Sequence, residues 1–505
     1  VAVLRITEPI SCQEATVPRP ILLAFIALTA GVLSGCHGGD NDNAGSIPPA
    51  PSPIRGSLLQ NPPALVRSVA VRDLLAAAPR LQALSGPPAC EQIDLYSLQY
   101  HTVGGANEAT TGSGALMVPR GSDSTCQGAR PILLYAHGTV AARSFDITTL
   151  DDEGALIAAL FAASGYIVVA PNYAGYATST LDYHPYLNAD QQSKDMIDAL
   201  TAARSALPVA SAPAAQDNGK LFITGYSEGG YVAMATHRAL QATGATVTAS
   251  APLSGPYALA AFGDAIFQGQ VSLGAPGLTV FISNSYLRAY GIYANPTELF
   301  ELPFANGIER LLPSDGPVGD IPRALFSATP PADEFASFTP AITPSALAGV
   351  FNVGFGEPHL FTNAARLAYL RDAQMNPDGG FPVATDHLPP ANATHALRAA
   401  LALNDLRTWS PAAPLLLCGG NLDPIIFFMN TQLMQGYFDA VAPSAPVTVL
   451  DIDSPVGTDD RFAADKQGFA AAKAAAPNAT AAVTQYHRTV APFCLSAARR
   501  FFADH

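Results

Sequence analysis

Between Ile93 and Leu253 the chain switches repeatedly between short, unbroken apolar runs and longer stretches whose apolar residues recur at helical spacing. Pro131–Ala136 (PILLYA) and Tyr166–Ala170 (YIVVA) are continuous apolar runs, as expected of strands covered on both faces. Leu221–Thr224 and Thr246–Leu253 read as further strands of this kind. Gly154–Ser164, about Asp190–Leu207 and Tyr231–Leu240 lie between or beside them and carry the helical period. Ahead of this block, Ile93–Val103 and Gly114–Val118 read as two strands joined by a Gly-rich connection, and Val66–Leu84 reads as a helix leading into the domain. The alternation predicts an α/β fold: a mostly parallel sheet with helices on both faces and an antiparallel start.

From about Ala258 to Thr408 the alternation fails. Phe and Tyr clusters, Pro-rich turns and helical patches replace it. At Trp409 it resumes, with strands at Pro414–Cys418 and Val447–Ile452, a helix at Pro424–Val441 and a terminal helix at Val490–Phe502. A long insertion between two strands of one sheet reads as a largely helical lid. The expected organisation is a core in two parts, 66–257 and 409–505, interrupted by a lid at 258–408.

The N-terminal segment has a different character. Arg19-Pro20 precedes Ile21–Leu33, an apolar run of about 13 residues that is short for a membrane span and right for a signal-peptide core. It ends in Leu33-Ser34-Gly35-Cys36, which resembles the bacterial lipobox, where a lipid is attached to the cysteine and the signal is cut before it. Residues 1–36 are thus expected to be a lipoprotein-type signal with Cys36 as the lipidation site, and 37–65, rich in Gly, Asn, Pro and Ser, a flexible tether. His37 instead of Asp favours the outer membrane over the inner one by the same resemblance. Residues 1–16 fit no part of a signal, so translation is expected to start at Val17.

The chain of 505 residues carries Lys+Arg 26 against Asp+Glu 40, a net charge of −14, with no basic run. A phosphate backbone would be repelled, and nucleic acid is excluded as an expected partner. Setting aside Cys12 and Cys36, four cysteines remain, an even number that in an exported chain points to two disulfides. Cys90 with Cys126 is the preferred pair. Cys418 with Cys494 would be the second, and Cys418 as a small buried hydrophobe is the open alternative.

Candidate chemistry gathers at Leu221–Gly230 (LFITGYSEGG): strand, sharp turn, helix. A G-x-S-x-G in that setting holds a serine hydroxyl above the strand ends, here Ser227, while Gly225 and Gly229 allow strand and helix to approach closely. Nucleophilic catalysis by serine needs a base and an acid that orients it. In the order serine, acid, histidine, Asp423 follows the resumed strand in LLLCGGNLDP, and His487 in TQYHRTVAPF is the one histidine between Asp423 and the terminal His505. The expected oxyanion donors are the backbone N–H of Glu228 and that of Thr139 in His137-Gly138-Thr139.

GYSEGG after LFIT, YAHGT, the Pro171–Tyr176 loop with Tyr183–Tyr186 beyond it, CGGNLDP and YHRTVAPF together resemble the α/β-hydrolase superfamily. The insertion before the acid resembles that of lid-bearing secreted bacterial lipases and esterases. The resemblance implies a serine carboxylester hydrolase working through an acyl-enzyme on a small-molecule or lipid ester, without a cofactor or metal. A peptidase or amidase with the same triad, and a surface-tethered binding protein of the same fold, are the alternatives. Glu357-Pro358-His359 and Asp386-His387 are read as loop polar residues.

Overall fold

The structure is a computed structural model that describes residues 53–210, 215–302, 304–315, 333–336, 347 and 349–505. The expected signal, Cys36 and most of the expected tether lie outside these residues.

Among the described residues nine strands form one sheet in the order β1-β2-β3-β5-β4-β6-β7-β8-β9. They are β1 (Ala64–Ala70), β2 (Gln92–Val103), β3 (Ala109–Arg120), β4 (Gly128–Ala136), β5 (Ile167–Pro171), β6 (Ala215–Tyr226), β7 (Ala249–Leu253), β8 (Leu415–Gly419) and β9 (Val447–Asp451). β1, β2 and β3 pair antiparallel and join the rest through an antiparallel β3–β5 contact; β5, β4, β6, β7, β8 and β9 are parallel neighbours. The mostly parallel, mixed sheet agrees with the alternation in the sequence.

Side chains of successive strand residues enter opposite layers, as the period of two requires. Ile132 and Leu134 pack with Ala199, Ala203 and Val232 on one face, and Leu133 and Tyr135 pack with Ile157, Val490 and Phe501 on the other. The helices concerned are α1 (Val71–Ala77), α2 (Pro79–Ser85), α3 (Glu153–Leu160), α4 (Ala189–Ala210) and α5 (Glu228–Ala242). After β7 come α6 (Leu259–Gln268), α7 (Ala275–Tyr290), α8 (Asn363–Met375) and α9 (Ala396–Leu403), and then β8. Among the described residues, 258–408 gives no strand to the sheet. The C-terminal part adds α10 (Met429–Val441), α11 (Ala463–Ala474), α12 (Ala479–Thr484) and α13 (Tyr486–Phe502).

Three element assignments change. The helix expected over Val66–Leu84 is strand β1 followed by two short helices. β1 pairs with β2 through its backbone while its first five side chains stand exposed, so the apolar residues there report no buried face. The helix expected from Pro424 begins at Met429, because residues 424–428 form an irregular turn. The terminal helix begins at Tyr486 instead of Val490, so His487 stands in its first turn.

Both expected cysteine pairs are disulfides, Cys90–Cys126 and Cys418–Cys494, with Cα–Cα separations of 5.6 and 5.7 Å. Such bonds belong to an exported protein. Among the described residues no helix is long and apolar enough to cross a membrane.

Candidate active site

β6 ends at Tyr226 and α5 begins at Glu228, so Ser227 alone makes the turn. Its backbone takes φ 62° and ψ −121°, a conformation disfavoured for a residue with a Cβ and held here by the neighbouring structure. The Ser227 N–H donates to Leu253 O at 2.9 Å, and the Ser227 carbonyl accepts from the N–H groups of Gly230 and Tyr231. The two flanking glycines are demanded by space. A Cβ on Gly225 would lie 2.3 Å from Gly229 O, and one on Gly229 would lie 2.0 Å from Ala136 O.

Parallel neighbours bring the remaining groups to the same carboxyl edge of the sheet. Asp423 follows β8, and α13 carries His487 to it. The Ser227 Oγ is 2.9 Å from His487 Nε2, and His487 Nδ1 is 2.6 Å from Asp423 Oδ2. The structure thus gathers three residues that lie 196 and 64 positions apart in the sequence into one hydrogen-bonded chain. Asp423 is almost fully buried, and every face of its carboxylate is used. Oδ1 accepts from the N–H groups of Ile425 and Ile426 at 2.9 and 3.2 Å, and Oδ2 also accepts from Ser254 Oγ at 3.3 Å. A buried carboxylate so supplied with donors has its hydrogen-bonding capacity met and its orientation toward His487 fixed.

Two residues of this site were not singled out by their sequence. Ser254, at the end of β7, supports Asp423. Tyr226, just before the serine, donates its phenolic proton to the backbone carbonyl of His487 and lies 3.1 Å from His487 Nδ1. Burial, with the Asp423 charge adding to it, pushes the Tyr226 phenol well above its usual range, so it remains a donor. Ser254 stood at a strand end followed by Gly-Pro, which marks an edge loop; Tyr226 carried no separate signal.

The loop after β4 runs beside the serine: a Cβ on Gly138 would lie 3.9 Å from Ser227 Cβ. The Gly138 N–H is occupied by Glu153 Oε1 at 3.0 Å. Among the described residues the Thr139 N–H has no partner, while the Thr139 hydroxyl bonds Tyr186 OH at 2.8 Å. The Glu228 N–H is the first of α5 and has no acceptor within its own helix. His137 points away from this chemistry, with its ring nitrogens 2.6 and 3.1 Å from Gly138 O and Asn172 O and its ring stacked on Tyr173. Asn172 ties loops together, accepting from Ile147 N and donating to Ser113 Oγ.

A cleft of about 350 Å³ opens beside Asp423, walled by Leu422, Phe427, Phe428 and, from the insertion, Val271 and Phe351. In the insertion, His359 Nδ1 meets Glu357 Oε2 at 2.9 Å, and Asp386 accepts from Leu388 N in its own turn. Among the described residues no group of three His, Cys, Asp or Glu side chains is placed to hold a metal ion.

Comparison with known proteins adds to this geometry. The model of the prolyl oligopeptidase family matches residues 155–270, the segment that contains Ser227. The rice cell wall degrading esterase LipA from Xanthomonas oryzae has a similar structure, with TM-score 0.66 and 26% identity over 90% of this chain and 99% of that one. A protein from Legionella pneumophila shares the fold, with TM-score 0.61 and 19% identity over 87% and 97% of the two chains. Comparison with curated protein sequences returns no match. Fold, site and likeness together make the chain a member of the α/β-hydrolase superfamily, a hydrolase that resembles bacterial esterases.

Proposed function

We propose that the protein is a serine carboxylester hydrolase in which Ser227, His487 and Asp423 act as the catalytic triad. The observation that carries this reading is the relay from Ser227 Oγ through His487 to Asp423, at 2.9 and 2.6 Å, with the serine raised on its strained turn. His487 Nε2 takes the serine proton as Oγ attacks the ester carbonyl, and Asp423 stabilises the imidazolium. The carbonyl oxygen becomes an oxyanion facing the N–H groups of Glu228 and Thr139. Collapse of the tetrahedral adduct breaks the ester C–O bond, and the departing alcohol takes the proton from His487. Water, deprotonated by His487, then attacks the acyl-enzyme, and the acid leaves with Ser227 protonated again.

The likeness to an esterase along nearly the whole chain supports ester over amide substrates. The family match over residues 155–270 favours a second reading, a peptidase with the same three residues. Purified protein given p-nitrophenyl esters of increasing acyl length and matched peptide amides separates the two. Ester turnover that disappears in Ser227→Ala supports the first reading, and amide cleavage without ester cleavage overturns it.

The insertion at 258–408 acts, in this reading, as a cap on the site. It touches both site loops: Leu273 N donates to Pro424 O at 2.9 Å, and Ser314 N donates to Ala141 O at 2.8 Å. We also assign Cys36 as a lipid anchor that holds the exported enzyme at the outer membrane. Loss of partition into the detergent phase in Cys36→Ser supports this, and unchanged partition refutes it.

A further inference from the structure

Beneath the oxyanion side of the site lies a buried polar cluster that the triad does not use. Glu228 is the residue whose backbone N–H follows Ser227, and its side chain turns inward, 1% exposed. Its Oε1 is 2.7 Å from His184 Nε2 and 2.7 Å from Gln192 Nε2; its Oε2 has no partner among the described residues. The His184 side chain is fully buried, and its Nδ1 faces Ala174 O at 3.0 Å. A carbonyl oxygen can only accept, so Nδ1 carries a hydrogen there. Nε2 and Oε1 therefore share one further proton between them. A charge-assisted contact of this kind is short and directional, and it fixes the side chain at the start of α5.

The loop that supplies His184 also grips the other oxyanion element. Tyr173 OH donates to His137 O at 3.0 Å, Tyr176 OH to Val140 O at 2.6 Å, and Tyr186 OH meets Thr139 Oγ1 at 2.8 Å. The loop itself is strained and braced. Tyr173, Ala177 and Leu187 have φ of 65°, 47° and 51°, and Ala174 N donates to the buried Asp195 at 2.6 Å. Backbone strain of this sort persists where the surroundings over-determine it, and it collects at functional sites. One loop thus touches both segments that carry an oxyanion donor, with His184 on one and three tyrosines on the other.

We propose that His184, through its bond to Glu228, is a positioning residue for the oxyanion hole. This rests on the serine-hydrolase reading above. The bond aims the Glu228 N–H at the place the carbonyl oxygen occupies once it has become an anion. A donor aligned to the anion and not to the ground-state carbonyl acts on kcat and leaves KM alone.

The test measures ester turnover and the affinity of a trifluoromethyl ketone, which forms a tetrahedral oxyanion on the serine. His184→Phe keeps an aromatic ring against Tyr173 and Tyr176 and removes the bond. It is expected to lower kcat by about 10- to 100-fold and ketone affinity by a similar factor, with KM within about twofold. Gln192→Ala, which removes one of the two anchors and leaves the aromatic cluster intact, should lower kcat and ketone affinity together by a smaller factor, and it carries the test if His184→Phe does not fold. A folded His184→Phe or Gln192→Ala with kcat unchanged, or with kcat lost and ketone affinity retained, overturns the proposal. Absence of ester turnover and of serine labelling in the parent protein would instead overturn the serine-hydrolase reading.

Discussion

Ser254 Oγ stands 3.3 Å from Asp423 Oδ2, the same carboxylate oxygen that faces His487. β7 and β8 are parallel neighbours, so the end of one places a donor on the acid carried by the other. Ser254→Ala is expected to lower kcat by about fivefold, the worth of one longer hydrogen bond of about 1 kcal/mol. Thermal stability should stay close to that of the parent. Steady-state kinetics alongside a melting curve checks this, and an unchanged kcat would show that the two backbone N–H groups and His487 hold Asp423 unaided.

Asp423→Asn keeps the shape of the side chain and loses the charge. The N–H groups of Ile425 and Ile426 hold the amide oxygen at the Oδ1 position, so the NH2 group faces His487 Nδ1 and donates to it; the tautomer this selects carries its hydrogen on Nε2, where the serine proton should go, and no carboxylate charge stabilises the imidazolium. We expect kcat to fall by about 10⁴ with KM little changed. A fall of less than tenfold would remove Asp423 from the relay.

The Cys418–Cys494 disulfide joins the strand before Asp423 to the helix that bears His487. It closes a loop with a sequence separation of 76, and a chain-entropy argument assigns about 4 kcal/mol to such a cross-link. Replacing both cysteines by alanine should lower the denaturant midpoint accordingly. It should also reduce kcat, since the acid and base lose a covalent tie. Full activity with a lowered midpoint would confine the bond to stability.

Gly229→Ala places a Cβ 2.0 Å from a backbone oxygen, a clash that no side-chain rotation relieves. A loss of about 3 kcal/mol or more is expected. Gly457→Ala, with nothing within 4 Å of the added carbon, serves as the neutral control. Equal melting temperatures for the two variants would contradict the close packing of β4, β6 and α5.

Burial lowers the His237 imidazole to about 4, while its ordinary value is near 6.5. Its Nδ1 is 2.7 Å from Ser250 Oγ, and its ring packs on Trp409. Between those two values the unfolded chain binds a proton that the folded chain refuses, so stability falls as pH drops from about 6.5 to about 4. The loss from this group amounts to about 3 kcal/mol. Urea titrations of the parent and His237→Gln over that range should show a shallower decline in the variant; parallel curves would rule His237 out as the source.

The parts of the fold that were legible in the sequence are those buried on both sides. PILLYA and YIVVA announce strands because Ile132–Ala136 and Ile167–Ala170 are buried on both faces of the sheet. β1 departs from the helix its apolar spacing predicts because an edge strand is held by backbone bonds, which leave no imprint on side-chain identity. His487 was found by its order in the chain, whereas its place in the first turn of α13 was obscured by Pro492 inside that helix. Ser227 and Asp423 sat beside glycines and a proline that mark sharp turns. Ser254 too stands beside a Gly-Pro turn, but a turn marker names no partner: its bond to Asp423, that of Tyr226 to His487 and the His184–Glu228 contact depend on which strands are neighbours and on where a loop folds back, and these are long-range facts.

The central claim is that Ser227 is the nucleophile. Treatment of the protein with a fluorophosphonate, followed by intact mass and peptide mapping, addresses it most directly. The account predicts one adduct, on the peptide that contains Ser227, formed in step with the loss of ester turnover and absent from Ser227→Ala. An adduct on another residue, or full turnover by Ser227→Ala, would contradict it.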